Sequence, residues 1–187
     1  MNKIINIRGT SGAGKSHLAR RVMANYPVRK PVHVAGRKQP LYYEYEAPDH
    51  GVPLFVVGHY ECACGGTDTI SSGTDGIYEL IRELAPKGNV FFEGLLIGSE
   101  VTRTAKLPEV GETHVIFLTT PVEQCVESVN ERRRARGQME PVNPANTISK
   151  HKNVAGTLRR MAKEAPRVIV HTLDREAAYN KVMELLS

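Results

Sequence analysis

The octapeptide GTSGAGKS, Gly9 to Ser16, constrains this chain more than any other stretch. It satisfies every fixed position of the pattern G-x-x-x-x-G-K-[S/T]. Ahead of it runs an apolar β-branched segment (Ile4, Ile5, Ile7), and behind it a stretch with helical spacing from about Lys15 to Asn25, with Leu18, Val22 and Met23 on one face. A glycine turn between a strand and a helix lets backbone N–H groups converge on phosphate oxygens, and the helix N-terminus adds the positive end of its dipole. Gly9, Thr10, Ser11, Gly12, Ala13 and Gly14 are therefore the expected cradle. Lys15 is expected to reach the β- and γ-phosphates, and the Ser16 hydroxyl to take a place on Mg²⁺. The implied ligand is ATP with its magnesium ion.

The remainder of the chain reads as one domain, 1–187, of α/β class. From about Asp75 helices and strands alternate: helix 75–85, strand NVFFEG, a helix or loop, strand HVIFLTT, helices near 121–136 and 145–164, strand RVIVHT and helix 174–186. Such alternation predicts a parallel sheet flanked by helices. Residues from about 30 to 60 depart from it: PVHVAG, PLYYEYE and VPLFVVGHY are β-rich, and APDHG between the last two has the composition of a hairpin turn. A β-rich insertion is expected there.

The loop and the short parallel α/β chain resemble the P-loop kinase superfamily, which implies a P-loop NTPase fold and phosphoryl transfer to a second substrate. The alternatives are a motor ATPase or a switch GTPase. The chain lacks the Asn-Lys-x-Asp guanine signature, and its candidate strand NVFFEG ends in a lone Glu93 rather than Asp-Glu. At the C-terminal end of a strand, Glu93 points toward the crevice where open α/β sheets bind ligands. It is a candidate to organise Mg²⁺ through water or to act as general base, against a merely structural ion pair. In TTPVEQCVESVNERRRARGQ, Val122, Cys125, Val126 and Val129 form a helical stripe that continues into Arg132, Arg133 and Arg136. Those arginines are candidates to neutralise charge on a transferring phosphoryl group. The segment is similar to the helix and lid of nucleotide kinases; the competing reading is an exposed basic helix end.

An acceptor hydroxyl needs a carboxylate to orient it and take its proton. The segment GHYECACGGTDTISSGTDG supplies Asp68, beside Gly65 and Gly66, and Asp75, which also suits the start of the next helix. Tyr60 is a candidate to stack on a base. His59, Cys62 and Cys64 raise a zinc site, but without the usual Cys-x₂-Cys spacing or a fourth ligand. Upstream, Arg29, Lys30, Arg37 and Lys38 are interleaved with Tyr42, Tyr43 and Tyr45. That pattern suits either a nucleic-acid surface or a solvated hairpin packing tyrosines inward.

Behind a P-loop, GHYECACGGTDT resembles the small bacteriophage kinases that phosphorylate 5-hydroxymethyluracil in DNA. The resemblance implies a DNA partner carrying a modified pyrimidine; the residues alone leave open a free nucleoside or nucleotide acceptor, or a nucleic-acid-binding ATPase. The formal charge of +5 is compatible with a polyanionic partner. Three cysteines without an export signal suggest reduced thiols, and no apolar run is long enough to span a membrane. The expected compartment is the cytoplasm, that of the host for a bacteriophage protein.

Overall fold

The computed structural model describes residues 1–46, 51–62 and 65–187. Seven strands form one sheet: β1 (Lys3–Arg8), β2 (Arg29–Val32), β3 (Tyr42–Tyr45), β4 (Leu54–Val57), β5 (Asn89–Glu93), β6 (Glu112–Leu118) and β7 (Ile169–Leu173). Their spatial order is β2-β3-β4-β5-β1-β6-β7. The five strands from β4 to β7 in that order are mutually parallel, and Ile7 of β1 lies level with Glu93 of β5 and Ile116 of β6. The C-terminal ends of three central strands therefore open onto one edge, which is where the P-loop begins.

Both faces of the sheet are covered, which is why the central strands are apolar on alternate residues in both directions. Ile5 and Ile7 face α1 (Lys15–Met23) and α5 (Arg175–Leu186), packing with Leu18, Val22, Ala178 and Val182. Ile4, Val90 and Phe92 face the opposite side, against Ile77, Ile81 and Leu84 of α2 (Gly73–Leu84). On that side, α4 (Pro144–Glu164) brings Met161 onto Val115 and Phe117. Only Cys125 of α3 (Val122–Arg134) is buried.

The β-rich insertion does not stand apart: β2 and β3 extend the same sheet as antiparallel strands, β3 on β4 and β2 on β3. The sheet is thus mixed rather than wholly parallel. Antiparallel neighbours need only a short connection, whereas a parallel pair needs a crossover, and the described residues between α1 and β4 hold no helix to make one. Of the turn expected at APDHG, all but Gly51 lies outside the described residues. Tyr43 and Tyr45 are fully buried among Leu18, Met23 and Leu54, so these tyrosines belong to the core. Tyr60 is buried in the same cluster. With 4% or less of each exposed, none of the three offers an open face for a base to stack on, although Tyr45 and Tyr60 edge a cavity of about 380 Å³ beside Tyr26 and Arg29.

One buried cation ties the sheet to the segment beyond β5. The Arg8 guanidinium donates to Asn6 Oδ1 (2.7 Å), the carbonyls of Gly98 (3.3 Å) and Glu100 (2.7 Å), and Thr104 Oγ1 (2.7 Å). Burial lowers its pKa from the usual arginine value.

Candidate active site

The loop after β1 closes on itself before α1 begins. Ala13 N–H donates to the Thr10 carbonyl, and Gly14 at the helix start has φ +99°. At Gly12, with φ +85°, a Cβ would lie 2.2 Å from the Cys125 carbonyl, so this position accepts only glycine. No acidic residue occupies the first turn of α1 and no side chain caps it. Its N-terminal N–H groups keep their capacity for an anion. Lys15, 8% exposed, folds back to donate to the carbonyls of Gly9 (2.8 Å) and Thr10 (3.2 Å).

Glu93 lies beside the loop at the end of β5, 1% exposed, and accepts a 2.8 Å hydrogen bond from the Ser16 hydroxyl. Burial pushes the Glu93 carboxyl up to about 7, against the pull of the Lys15 ammonium and Ser16; burial likewise lowers Lys15, against the pull of Glu93. The Glu93 carboxylate therefore exchanges its proton near neutrality.

A second glycine loop reaches the same place from β4. His59 and Gly66 pair as an isolated bridge, and the Thr67 hydroxyl donates to the Glu93 carbonyl at 3.1 Å. At Gly66, with φ +80°, a Cβ would lie 2.6 Å from Glu93 Oε1. The glycine pair thus lets this loop lie directly on the end of β5. Asp68 follows, its carboxylate accepting from the backbone N–H groups of Leu95 (2.7 Å) and Leu96 (2.9 Å). Those contacts hold an exposed carboxylate in one orientation.

Ser11, Gly12, Gly14, Lys15, Ser16, Asp68, Glu93 and Arg132 line a single cavity of about 430 Å³. The structure thus joins the loop, two of three candidate carboxylates and one of three candidate arginines. Arg133 and Arg136 do not line it. Arg133 Nε donates to the Glu140 carbonyl at 2.9 Å, and α3 ends at Arg134, so the stripe read on through Arg136 has no helix to carry it. Asp75 is also elsewhere: it sits in the first turn of α2, whose N-cap is Ser72, and pairs with Arg103 at 2.6 Å. Arg37 clasps the insertion to the second glycine loop, donating to the Gln39 and Pro40 carbonyls and to Thr69 Oγ1. Cys64 lies outside the described residues, and among those described no group of three or more His, Cys, Asp or Glu is arranged to hold a metal ion.

Two arginines in this cavity escape the sequence reading. Arg20 on α1 donates to the Tyr60 and Cys62 carbonyls, fastening the second glycine loop to the first helix. Arg175, the first residue of α5, donates to the Ala13 (3.0 Å) and Gly12 (3.1 Å) carbonyls, and Thr120 Oγ1 donates to Ala13 at 2.8 Å. With loop carbonyls occupied in this way, the loop N–H groups are left to face the cavity. Arg175 had one available signal: it directly follows the N-cap Asp174, where a cation opposes the helix dipole.

The oxygen donors facing this cavity (Ser16 Oγ and the Asp68 and Glu93 carboxylates) suit a hard divalent cation, and the loop beside them suits phosphates. A phosphate loop, a carboxylate at the end of the adjacent strand and a second, oriented carboxylate on an open parallel edge define a P-loop kinase, a nucleotide-dependent phosphotransferase. Comparison with known proteins narrows that class. No protein-family profile matches the chain. A protein named 5-hmdU DNA kinase from Pseudomonas phage PaMx11 is 48% identical over 187 residues, covering 98% of this chain and 97% of its own. The chain belongs to the 5-hmdU DNA kinase family. A relative of the same name from Delftia phage PhiW-14 is 29% identical, covering 83% of this chain and 62% of its own length. Another, from Pseudomonas phage M6, is 25% identical, covering 82% of each. Among solved structures, the deoxyadenosine kinase of M. mycoides with bound dATP aligns over 98% of both chains, at 13% identity and a TM-score of 0.46.

Proposed function

We propose that the protein transfers the γ-phosphoryl group of ATP to the hydroxymethyl oxygen of 5-hydroxymethyluracil within DNA. The observation that carries the chemistry is the convergence of the P-loop, Asp68, Glu93 and Arg132 on one cavity. The 48% identity to a phage 5-hmdU DNA kinase supports the acceptor. In this reading Gly9 to Ser16 hold the triphosphate, and Lys15 leaves its loop carbonyls for the phosphates. Ser16, with Glu93 behind it, would hold Mg²⁺, which supplies charge neutralisation across the phosphates when bound. Asp68, fixed by Leu95 and Leu96, orients the acceptor and takes its proton as the hydroxyl oxygen bonds to the γ-phosphorus and the bond to the β,γ-bridging oxygen breaks. Arg132 stabilises charge on the phosphoryl group in transit. No helix among the described residues is long and apolar enough to cross a membrane, and the phage relatives support action in the host cytoplasm.

The test supplies γ-labelled ATP with a 5-hmdU duplex, with the free nucleoside, or with no acceptor. Label should enter the duplex, and hydrolysis without acceptor should be slow, since the constellation is completed by the acceptor. Asp68→Asn should lower kcat by about 10²- to 10³-fold with ATP affinity little changed. Label entering the nucleoside alone would make this a small-molecule kinase. DNA-stimulated hydrolysis with unlabelled DNA would make it an ATPase.

A further inference from the structure

The surplus positive charge of this chain is concentrated in one stretch. Of its 25 lysines and arginines nine lie between Glu131 and Glu164, and of its 20 acids only three, so this stretch carries +6 and the rest −1. It comprises the end of α3, the connection after it and all of α4 but none of the P-loop or second glycine loop. On α4, Lys152, Gly156, Arg159 and Lys163 recur at intervals of four, three and four, which places them on one side of the helix. They line a groove of about 650 Å³ that also includes Ser99, from the segment beyond β5.

Two features distinguish this groove from an ordinary solvated helix face. Arg160 has the usual i,i+4 partner in Glu164 at 2.9 Å, whereas Lys152 and Arg159 have no carboxylate within salt-bridge distance among the described residues. Gly156 sits in the interior of α4, where glycine weakens a helix, and a Cβ there would meet nothing within 4 Å. Close packing within the chain does not require it. What the glycine does is keep the groove floor low between three cations, so that a ligand can approach the backbone.

We propose that this face of α4 carries the phosphodiester backbone of the acceptor DNA, with a phosphate seated over Gly156; the proposal rests on the reading that the acceptor is DNA. Lys152 to Lys163 spans about 16 Å of helix, a length that meets several successive phosphates of one strand. Along the chain the basic stretch begins at Arg132, which lines the catalytic cavity, and Ser99 of the groove lies four residues beyond Leu95 of that cavity.

The test uses the full chain with Lys152→Ser, Arg159→Ser and Lys163→Ser combined, none of which lines the catalytic cavity, and separately Gly156→Leu, which fills the groove at constant charge. Binding of a fluorescent 5-hmdU duplex is followed by anisotropy across a salt series, and transfer is measured to the duplex and to a 5-hmdU trinucleotide. The triple variant should bind the duplex about tenfold or more weaker, with the slope of log K against log salt reduced by about 2 to 3. KM for the duplex should rise, while kcat and transfer to the trinucleotide hold within about twofold of wild type. Gly156→Leu should weaken the duplex without changing the slope. If wild type phosphorylates the duplex and the triple variant binds it with unchanged affinity and slope, this surface is overturned and the DNA reading stands. If wild type fails to phosphorylate the duplex at all, the DNA reading falls and this proposal with it. Equal loss on the trinucleotide would assign the three residues to the fold or the catalytic cavity and overturn the surface as well.

Discussion

Two glycine loops meet at Glu93, and they are held differently. The loop from Gly9 to Ser16 is closed by bonds of its own, Ala13 to Thr10 and Lys15 to Gly9 and Thr10, and is braced from outside at the Gly12 and Ala13 carbonyls by Arg175 and Thr120. The loop from Gly65 to Thr69 has a bond of its own from Thr69 to Gly66 but depends on more neighbours. It is held by His59 on one side, the Glu93 carbonyl on another, and the Leu95 and Leu96 N–H groups through Asp68, while Arg20 fastens its leading end. A phosphate site can be encoded locally because phosphate is the same in every nucleotide. A site for a particular hydroxyl has to be assembled from several elements, and the comparison predicts that the two loops fail differently.

The largest effect should follow Lys15→Ala. Transfer to any acceptor should drop by about 10³-fold or more, because the cation proposed to meet the transferring phosphate is gone. Lys15 is also buried and holds two carbonyls, so unfolding stability should fall by about 1–3 kcal/mol. Steady-state kinetics and a denaturant titration check both. Transfer within tenfold of wild type would break the assignment of the first loop.

Next comes the second loop. Gly66→Ala forces a Cβ against the Glu93 backbone and carboxylate at a positive φ, and should cost about 1–3 kcal/mol. Gly36→Ala has the same backbone strain, φ +77°, but meets nothing within 4 Å, and should cost only about 1 kcal/mol. With acceptor at saturation, Gly66→Ala should lose activity while nucleotide affinity stays near wild type. Equal losses at both glycines would show that strain rather than the crowding at Glu93 matters.

The smallest effect is on pH dependence. Glu93 is held near pKa 7 by burial, so below about pH 7 it gains a proton and loses the charge with which it would serve a cation. In the free enzyme kcat/KM should fall as pH drops through 7, by up to about tenfold per unit, and Glu93→Gln should remove that limb at a lower plateau. A limb that persists in Glu93→Gln would assign it to another group.

How much was legible follows from the same contrast. The strand before the first loop, its helix, and the later alternation were readable because apolar periodicity is local, and Lys15, Ser16, Asp68, Glu93 and Arg132 do share one cavity. The alternating tyrosines of β3 were ambiguous, since alternation says which residues share a face but not which face is covered. Spacing alone does not separate Arg133 from Arg132 as a candidate: helical spacing gives a direction, and the connection after α3 decides what lies there. Arg175 could not be paired with Gly12 from spacing, as 163 residues separate them.

Arg8 sets the terms on which the segment that orients Asp68 can move. Leu95 and Leu96 are followed within a few residues by Gly98, Glu100 and Thr104, all bonded to a guanidinium with no route to water. Peeling that segment away would leave a cation in the interior without its acceptors, a far costlier state than an ordinary frayed loop. The turn from Gly98 to Thr104 should therefore open only with the central sheet, its amides exchanging on the timescale of global unfolding rather than of loop motion. A segment with little regular secondary structure thus behaves, in its dynamics, as part of the strand that begins the protein.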